Sequence, residues 1–149
     1  DINSDGIIEV AYPVSGTTRQ QGKVFAWFRF DDRGNSAWVM DTFHNLADNW
    51  YLVLNGSWHG SLDGTRLETT EKGTRVTLQV NGKAVLYLYS FSGEDRERDA
   101  QSNGHTLLLQ RANVAYGMRI TEAGSAAGIS GEWVRSHFHL ISAAWVAGN

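Results

Sequence analysis

The chain has 149 residues, a formal net charge of −3, 42% hydrophobic residues and no cysteine. The lack of cysteine excludes a disulfide framework, a thiolate nucleophile and cysteine-based metal sites. The slightly acidic charge gives no footprint for nucleic acid, and no run approaches the roughly 18 to 20 apolar residues of a membrane span. We therefore expect one globular domain over residues 1–149, with no nucleic-acid partner and no membrane span.

The first nine residues, DINSDGIIE, match the first half of a calcium loop. Asp1, Asn3 and Asp5 stand at positions one, three and five, but position twelve is Tyr12, which offers no bidentate carboxylate. The segment runs directly into an alternating apolar stretch, so ordinary turn chemistry explains its composition. We predict a turn and then a first strand over residues 7–12, and we assign no metal site, although the sequence leaves open whether this turn binds calcium.

Strand periodicity dominates the rest of the chain. Residues 23–30, KVFAWFRF, place apolar side chains on both faces, which predicts a strand covered on both sides. Asn81 and Gly82 join RVTLQV to KAVLYLY and predict a hairpin with a type I′ turn, in which both central residues have positive φ. Counting the first strand, about eight to ten short strands are expected. The further ones are residues 36–40, 50–54, 66–70, 75–80, 83–89, 106–110 and 114–121.

Three segments are predicted to connect strands. Residues 42–50 have too short an apolar pattern for a stable helix, so we expect a loop. Residues 92–104 contain six charged residues and no large apolar one, which predicts an exposed, mobile connection. Residues 123–131, AGSAAGISG, are expected to form a second flexible link. The sequence thus predicts an all-β sandwich or barrel with little or no helix.

The C-terminal segment EWVRSHFHLISAAWVA, residues 132–147, alternates strictly and predicts one long strand. One face would carry Arg135, His137 and His139 among tryptophans, a composition typical of interfaces. A guanidinium beside imidazoles favours an anion over a metal ion, because arginine repels cations and binds carboxylates with a planar fork. We predict a site for an anion or small ligand at a subunit interface, formed by these three residues. Alternatively, both imidazoles bond across a sheet or a subunit contact.

Trp58 and His59 lie in a glycine-rich segment, LNGSWHGSLDG. An exposed tryptophan with polar neighbours is typical of sugar sites, so this pair is a possible sugar-binding site. The alternative is that Trp58 closes one end of the sandwich. No nucleophile elbow, phosphate-binding loop or zinc motif occurs, so we predict no catalytic residues, no cofactor and no enzyme activity.

The strand layout of the whole chain and its ending, HLISAAWVAGN, resemble trimeric jelly-roll domains of the tumour-necrosis-factor and C1q type. Similar knobs cap adenovirus fibres and phage tail fibres and tail needles. The resemblance implies an antiparallel jelly-roll sandwich, a homotrimer, and a position in the C-terminal part of a longer fibrous protein. Independently, six Trp, six Phe and five Tyr exceed what one two-layer core hides, which favours an oligomer.

These expectations combine into a non-enzymatic trimeric tip of a phage tail needle or fibre. It would cap the shaft and contact a host cell-surface component or glycan, with a small anionic ligand between subunits. Its place would be the virion tail tip, outside the cell; the alternative location is secreted. The alternative function is a carbohydrate-binding module that uses Trp58 and His59. A glycan-degrading enzyme would need two converging carboxylates, which the sequence does not indicate.

Overall fold

The computed structural model describes residues 1–14 and 23–141. It contains two antiparallel five-stranded sheets, which confirms the predicted all-β class and is consistent with an all-β sandwich. Helices in the described part of the chain are short, and none of them is a candidate membrane span. The chain divides into two compact units, one containing residues 1–59 and the chain from His137, the other residues 60–136. That all of it folds as one domain remains a prediction.

The first unit contains one sheet, in the order β1-β2-β3-β4-β10. A 3₁₀ turn at Gly56–Trp58 follows β4. The strands are β1 (Val10–Pro13), β2 (Lys23–Phe30), β3 (Ser36–Asn45), β4 (Trp50–Val53) and β10 (Phe138–Leu140).

The second unit contains the other sheet, in the order β5-β6-β7-β9-β8. Its strands are β5 (Leu62–Thr70), β6 (Gly73–Val80), β7 (Lys83–Phe91), β8 (Thr106–Gln110) and β9 (Ala115–Ile120). Its helices are α1 (Arg96–Gln101), α2 (Glu122–Ala126) and α3 (Gly131–His137), which leads into β10.

One row of apolar side chains crosses the first sheet. Val24 is paired with Phe43, Phe43 with Leu52, and Leu52 with Phe138, and all four are buried. Directly paired residues point to the same face of a sheet, so this row forms the core face of the unit. The ring of Trp50 packs beside it, 5.2 Å from that of Phe138.

The second sheet has apolar residues on both faces. Val76 is paired with Leu88 and Leu88 with Met118, which gives one buried row. On the opposite face, α1 packs its buried Ala100 against Gly117 of β9, where a Cβ would lie only 3.1 Å from the Ala100 carbonyl oxygen. The small residue in β9 therefore allows the helix to approach the sheet closely.

Several predicted elements are confirmed. Strands β2 and β8 have the predicted bounds, and most of the others differ by a few residues. Asn81 (φ 51°) and Gly82 (φ 73°) form the turn between β6 and β7 with positive φ at both positions, as a type I′ turn requires. The turn chemistry predicted for the N-terminus is also present, because Asp1 and Asp5 accept backbone N–H groups through their carboxylates.

All three predicted connections differ from the structure. Residues 123–131 contain most of helix α2, which buries Gly124, and are not simply a flexible link. β3 continues to Asn45, because its second half pairs with both β2 and β4, so most of residues 42–50 is strand and not loop. Residues 92–104 contain helix α1, which buries Ala100 and Asp99. Asp99 forms a 2.8 Å ion pair with Lys72. Small side chains and paired charges therefore anchor this segment, although it contains no large apolar residue.

The predicted C-terminal strand is wrong over residues 132–137, which belong to α3. Ser130 starts this helix: its hydroxyl accepts from the amide of Trp133 at 3.1 Å and its carbonyl from that of Val134 at 3.0 Å. Glu132 in the first turn adds a favourable charge. Strand structure resumes at Phe138–Leu140, and residues 142–147 of the predicted strand lie outside the described residues.

Candidate functional site

The structure does not place Arg135, His137 and His139 on one strand face. Arg135 lies exposed in α3, where its Nη2 donates to the carbonyl of Leu107 at 3.3 Å, and His137 is the last residue of that helix. His139 alone lies in a strand, β10. The strand alternation that motivated the predicted anion site is thus wrong, and ligand binding by these residues stays a prediction without that support.

His139 belongs instead to a row of rings across the first sheet. His44 pairs with Tyr51, and Tyr51 with His139, with ring centroids 5.2 and 5.0 Å apart and near-parallel planes. His44 is only 2% exposed, and this burial lowers its pKa to about 4. Burial, and then the charge of His137, also lower the pKa of His139. Both imidazoles are therefore neutral at pH 7 and behave as aromatic and hydrogen-bonding groups.

A hydrogen-bonded chain fixes His44. The indole Nε1 of Trp27 donates to the Thr42 hydroxyl oxygen at 2.7 Å, and that oxygen lies 2.8 Å from Nε2 of His44. The Thr42 hydroxyl can donate to Nε2 of a neutral His44 while its oxygen accepts from Trp27. A neutral imidazole, which the lowered pKa favours, therefore fits this network.

Trp58 is not an exposed sugar platform, since its side chain is 4% exposed. It ends a 3₁₀ turn that begins after Asn55, whose side-chain oxygen accepts from the amide of Ser57 at 3.0 Å. The burial of Trp58 is compatible with the alternative, but that it closes one end of the sandwich stays a prediction. His59, the other member of the predicted pair, is half exposed.

His59 contacts two residues that sequence reasoning missed. Its Nδ1 lies 2.7 Å from Oδ2 of buried Asp41, and Oδ1 of Asp41 accepts from Nε1 of Trp38 at 2.9 Å. The Trp38 and His59 rings are 4.5 Å apart, and Trp38 is 37% exposed. We call Trp38, Asp41 and His59 the indole cluster. It presents an aromatic surface beside a carboxylate that is held in place by two donors.

A bulge in β3 explains how Trp38 and Asp41 come to share a face. Residues three apart in a regular strand point to opposite faces. Here Trp27 pairs with Met40 while Phe28 pairs with Trp38, so Val39 is extra. The extra residue changes the alternation and re-aims the Trp38 side chain. Nothing in the linear pattern signals this bulge.

Exposed apolar side chains concentrate at the β1 edge of the first sheet. Ile8 is 78% exposed, and four other members are also exposed. A cleft of 350 Å³ adjoins them, lined by Arg29, Asp31 and residues of the β2–β3 turn. We call this set the edge strip: Ile7, Ile8, Val10, Tyr12 and Phe30.

Ile7 and Val10 belong to the predicted first strand, residues 7–12, and their exposure had no signal in the sequence. The structure shortens that strand to Val10–Pro13 and leaves Ile7 and Ile8 in the preceding segment. In comparisons with known proteins, no family model, no curated protein and no solved structure matches this chain.

Proposed function

We propose that this chain is a non-enzymatic attachment domain that works as a homotrimer, as the tip of a phage tail needle or tail fibre that contacts a host cell surface. The edge strip carries the proposal. Five large apolar side chains exposed together at one sheet edge are unfavourable in water, and such patches mark surfaces that a partner covers.

The partner that we propose for the edge strip is another copy of this chain. The adjoining cleft is lined by Ile7 and Phe30 together with one positive and one negative group, Arg29 and Asp31. The protruding Ile8 of a neighbouring copy would insert into this cleft, and Arg29 and Asp31 would lie at the margin of that contact. Around a threefold axis each copy would give Ile8 to the cleft of the next copy, which makes a closed ring of three equivalent contacts.

Light scattering after size exclusion tests the assembly. The monomer has a mass of 16.5 kDa, and we expect about three times that value at micromolar concentration. The variant Ile8→Ser should run as a monomer, because it removes the most exposed apolar side chain without touching the core. The matched control is Leu46→Ser, which replaces a 55% exposed apolar residue in the β3–β4 turn and should stay trimeric.

The attachment role is tested separately with fluorescently labelled protein on intact bacterial cells. We expect saturable binding by the unmodified chain and at least tenfold weaker binding by the monomeric Ile8→Ser variant, since a trimer binds a surface through several sites at once. A monomer mass for the unmodified chain would refute the trimer. Absence of binding to any cell or glycan surface would refute attachment.

Carbohydrate binding is the second candidate function, and the indole cluster favours it over the predicted Trp58 site. The Trp38 ring is exposed, and its orientation is fixed by the bond from Nε1 to Asp41. Sugars pack their C–H faces on such rings, and the half-exposed imidazole of His59 beside the ring can hydrogen-bond their hydroxyls.

Sugar-dependent quenching of tryptophan fluorescence and a glycan array test this candidate. Trp38→Ala should abolish both signals, whereas Trp133→Ala, which removes a half-buried indole in α3, should retain them. Unchanged glycan binding in Trp38→Ala would rule out the indole cluster as the sugar site.

A further inference from the structure

Three carboxylates converge at the N-terminal turn. One carboxylate oxygen each from Asp1, Asp5 and Glu9 lies within 4.8 Å of the other two. Oxygens that bind one calcium ion lie about 2.3 to 2.6 Å from it, so two of them are at most about 5 Å apart. The spacing therefore fits a single calcium coordination shell.

Glu9 supplies an independent sign of a ligand. Its side chain is fully buried, and its Oε2 accepts from the amide of Ile2 at 2.9 Å. Its Oε1, which is equally buried, has no hydrogen-bond partner. A buried carboxylate oxygen without a partner is costly, and native structures normally satisfy it with a donor, a water or an ion. A cation among the three carboxylates would satisfy it.

The turn holds the other two carboxylates in place. Both oxygens of Asp1 accept backbone N–H groups, from Asp5 at 3.0 Å and from Gly6 at 2.7 Å. Asp5 accepts from the amide of Ile7 at 2.9 Å and from the side chain of Asn3 at 2.9 Å. Each carboxylate oxygen has a second lone pair, so these bonds orient the groups and leave capacity for a cation.

The local charge is negative, because three carboxylates converge there. Asp1 and Asp5 are exposed, so a cation from solvent can reach their oxygens.

We propose that Asp1, Asp5 and Glu9 form a calcium site in which Glu9, at the ninth loop position, provides the carboxylate that the twelfth position lacks. The twelfth position holds Tyr12, and on that ground the sequence assigned no metal. In the fold, Glu9 turns back to the loop, where its Oε2 accepts from the amide of Ile2. All three side chains offer oxygen ligands, which suit calcium better than transition metals. This inference is independent of the proposed attachment function.

Isothermal titration calorimetry on chelator-treated protein tests the site with CaCl₂ and MgCl₂ at constant ionic strength. We expect one Ca²⁺ per chain with a Kd of about 10⁻⁵ to 10⁻³ M, and at least tenfold weaker Mg²⁺ binding, because a loop of this kind does not impose octahedral geometry. Calcium should also raise the melting temperature.

Two variants and a control locate the binding. Asp5→Asn and Glu9→Gln should each weaken Ca²⁺ binding at least tenfold. Asp32→Asn, which neutralises an exposed carboxylate in the β2–β3 turn, should change it less than twofold. Asp5 is exposed, so its variant keeps the fold and the result does not depend on Glu9→Gln folding correctly. The proposal fails if the unmodified chain takes up no Ca²⁺ at millimolar concentration, or if Asp5→Asn binds as tightly as the unmodified chain.

Discussion

Gly124 of α2 lies so close to Val85 of β7 that it has no room for a side chain. A Cβ at Gly124 would stand 2.0 Å from the carbonyl oxygen of Val85. The contact is held by Thr121, whose hydroxyl donates to the carbonyl of Ala84 at 2.7 Å and accepts from the amide of Gly124 at 3.0 Å. Helix and strand thus meet backbone to backbone.

The first prediction follows from this contact. Gly124→Ala should lower the free energy of unfolding by about 2 to 3 kcal/mol, because the new methyl group forces α2 away from β7. Gly56→Ala is the control, since its Cβ would lie at an ordinary 3.5 Å from the Trp38 ring and should change stability by less than about 1 kcal/mol. Urea denaturation measures both, and equal midpoints for the two variants would contradict the argument.

The second prediction concerns pH. The pKa of His44 is about 4 in the folded chain and 6.5 in a model peptide, so the unfolded state binds the proton more readily. Its contribution to stability is complete above pH 6.5 and is lost as the pH falls towards 4, by about 3 kcal/mol in total.

Urea midpoints measured between pH 7 and pH 4 test this dependence. His44→Gln should flatten the slope relative to the unmodified chain, whereas His139→Gln, at an exposed position, should change it much less. An unchanged slope in His44→Gln would assign the acid sensitivity to other groups.

The third prediction addresses the hydroxyl of Thr42. Thr42→Val keeps the shape of the buried side chain but removes the hydroxyl that accepts from the Trp27 indole and bonds His44. We expect a loss of about 1 to 3 kcal/mol. Thr42→Ser keeps the hydroxyl and should lose less, although it gives up a methyl group. The two midpoints in urea decide the matter, and a smaller loss for valine than for serine would show that packing dominates.

The fourth prediction separates backbone conformation from packing. Gly82 has a φ of 73° and open space where a Cβ would stand. Gly82→Ala should therefore destabilise the β6–β7 hairpin by about 1 to 2 kcal/mol through conformation alone. Asn81→Gly, which eases the same turn, should be nearly neutral by thermal unfolding. A neutral Gly82→Ala would mean that the turn changes type.

Sequence reasoning succeeded where the signal was local. The alternation in residues 23–30 and the Asn81-Gly82 pair need only nearest neighbours to be interpreted, and both are confirmed. It failed for α3, because EWVRSH also alternates. Ser130, two residues before Glu132, was the available signal for a helix start.

The candidate sites were predicted less well, since they depend on the paths of neighbouring strands. The indole cluster requires the bulge at Val39, and the carboxylate cluster requires Glu9 to turn inward. Neither feature follows from residue order. The ring contact of His59 with Trp38 had no signal in the sequence, and sugar binding by His59 stays a prediction.

Strand β1 closes its sheet with only four residues and ends at Pro13, which has no amide hydrogen. The next amide, that of Val14, is already bonded to Val24. A foreign strand would find few free backbone donors at this sheet edge. Cross-β growth is therefore disfavoured there, even though the exposed side chains are apolar. The association between copies that we propose would then depend on side-chain contacts, which can close into a small assembly, and not on backbone pairing, which could continue into a fibril.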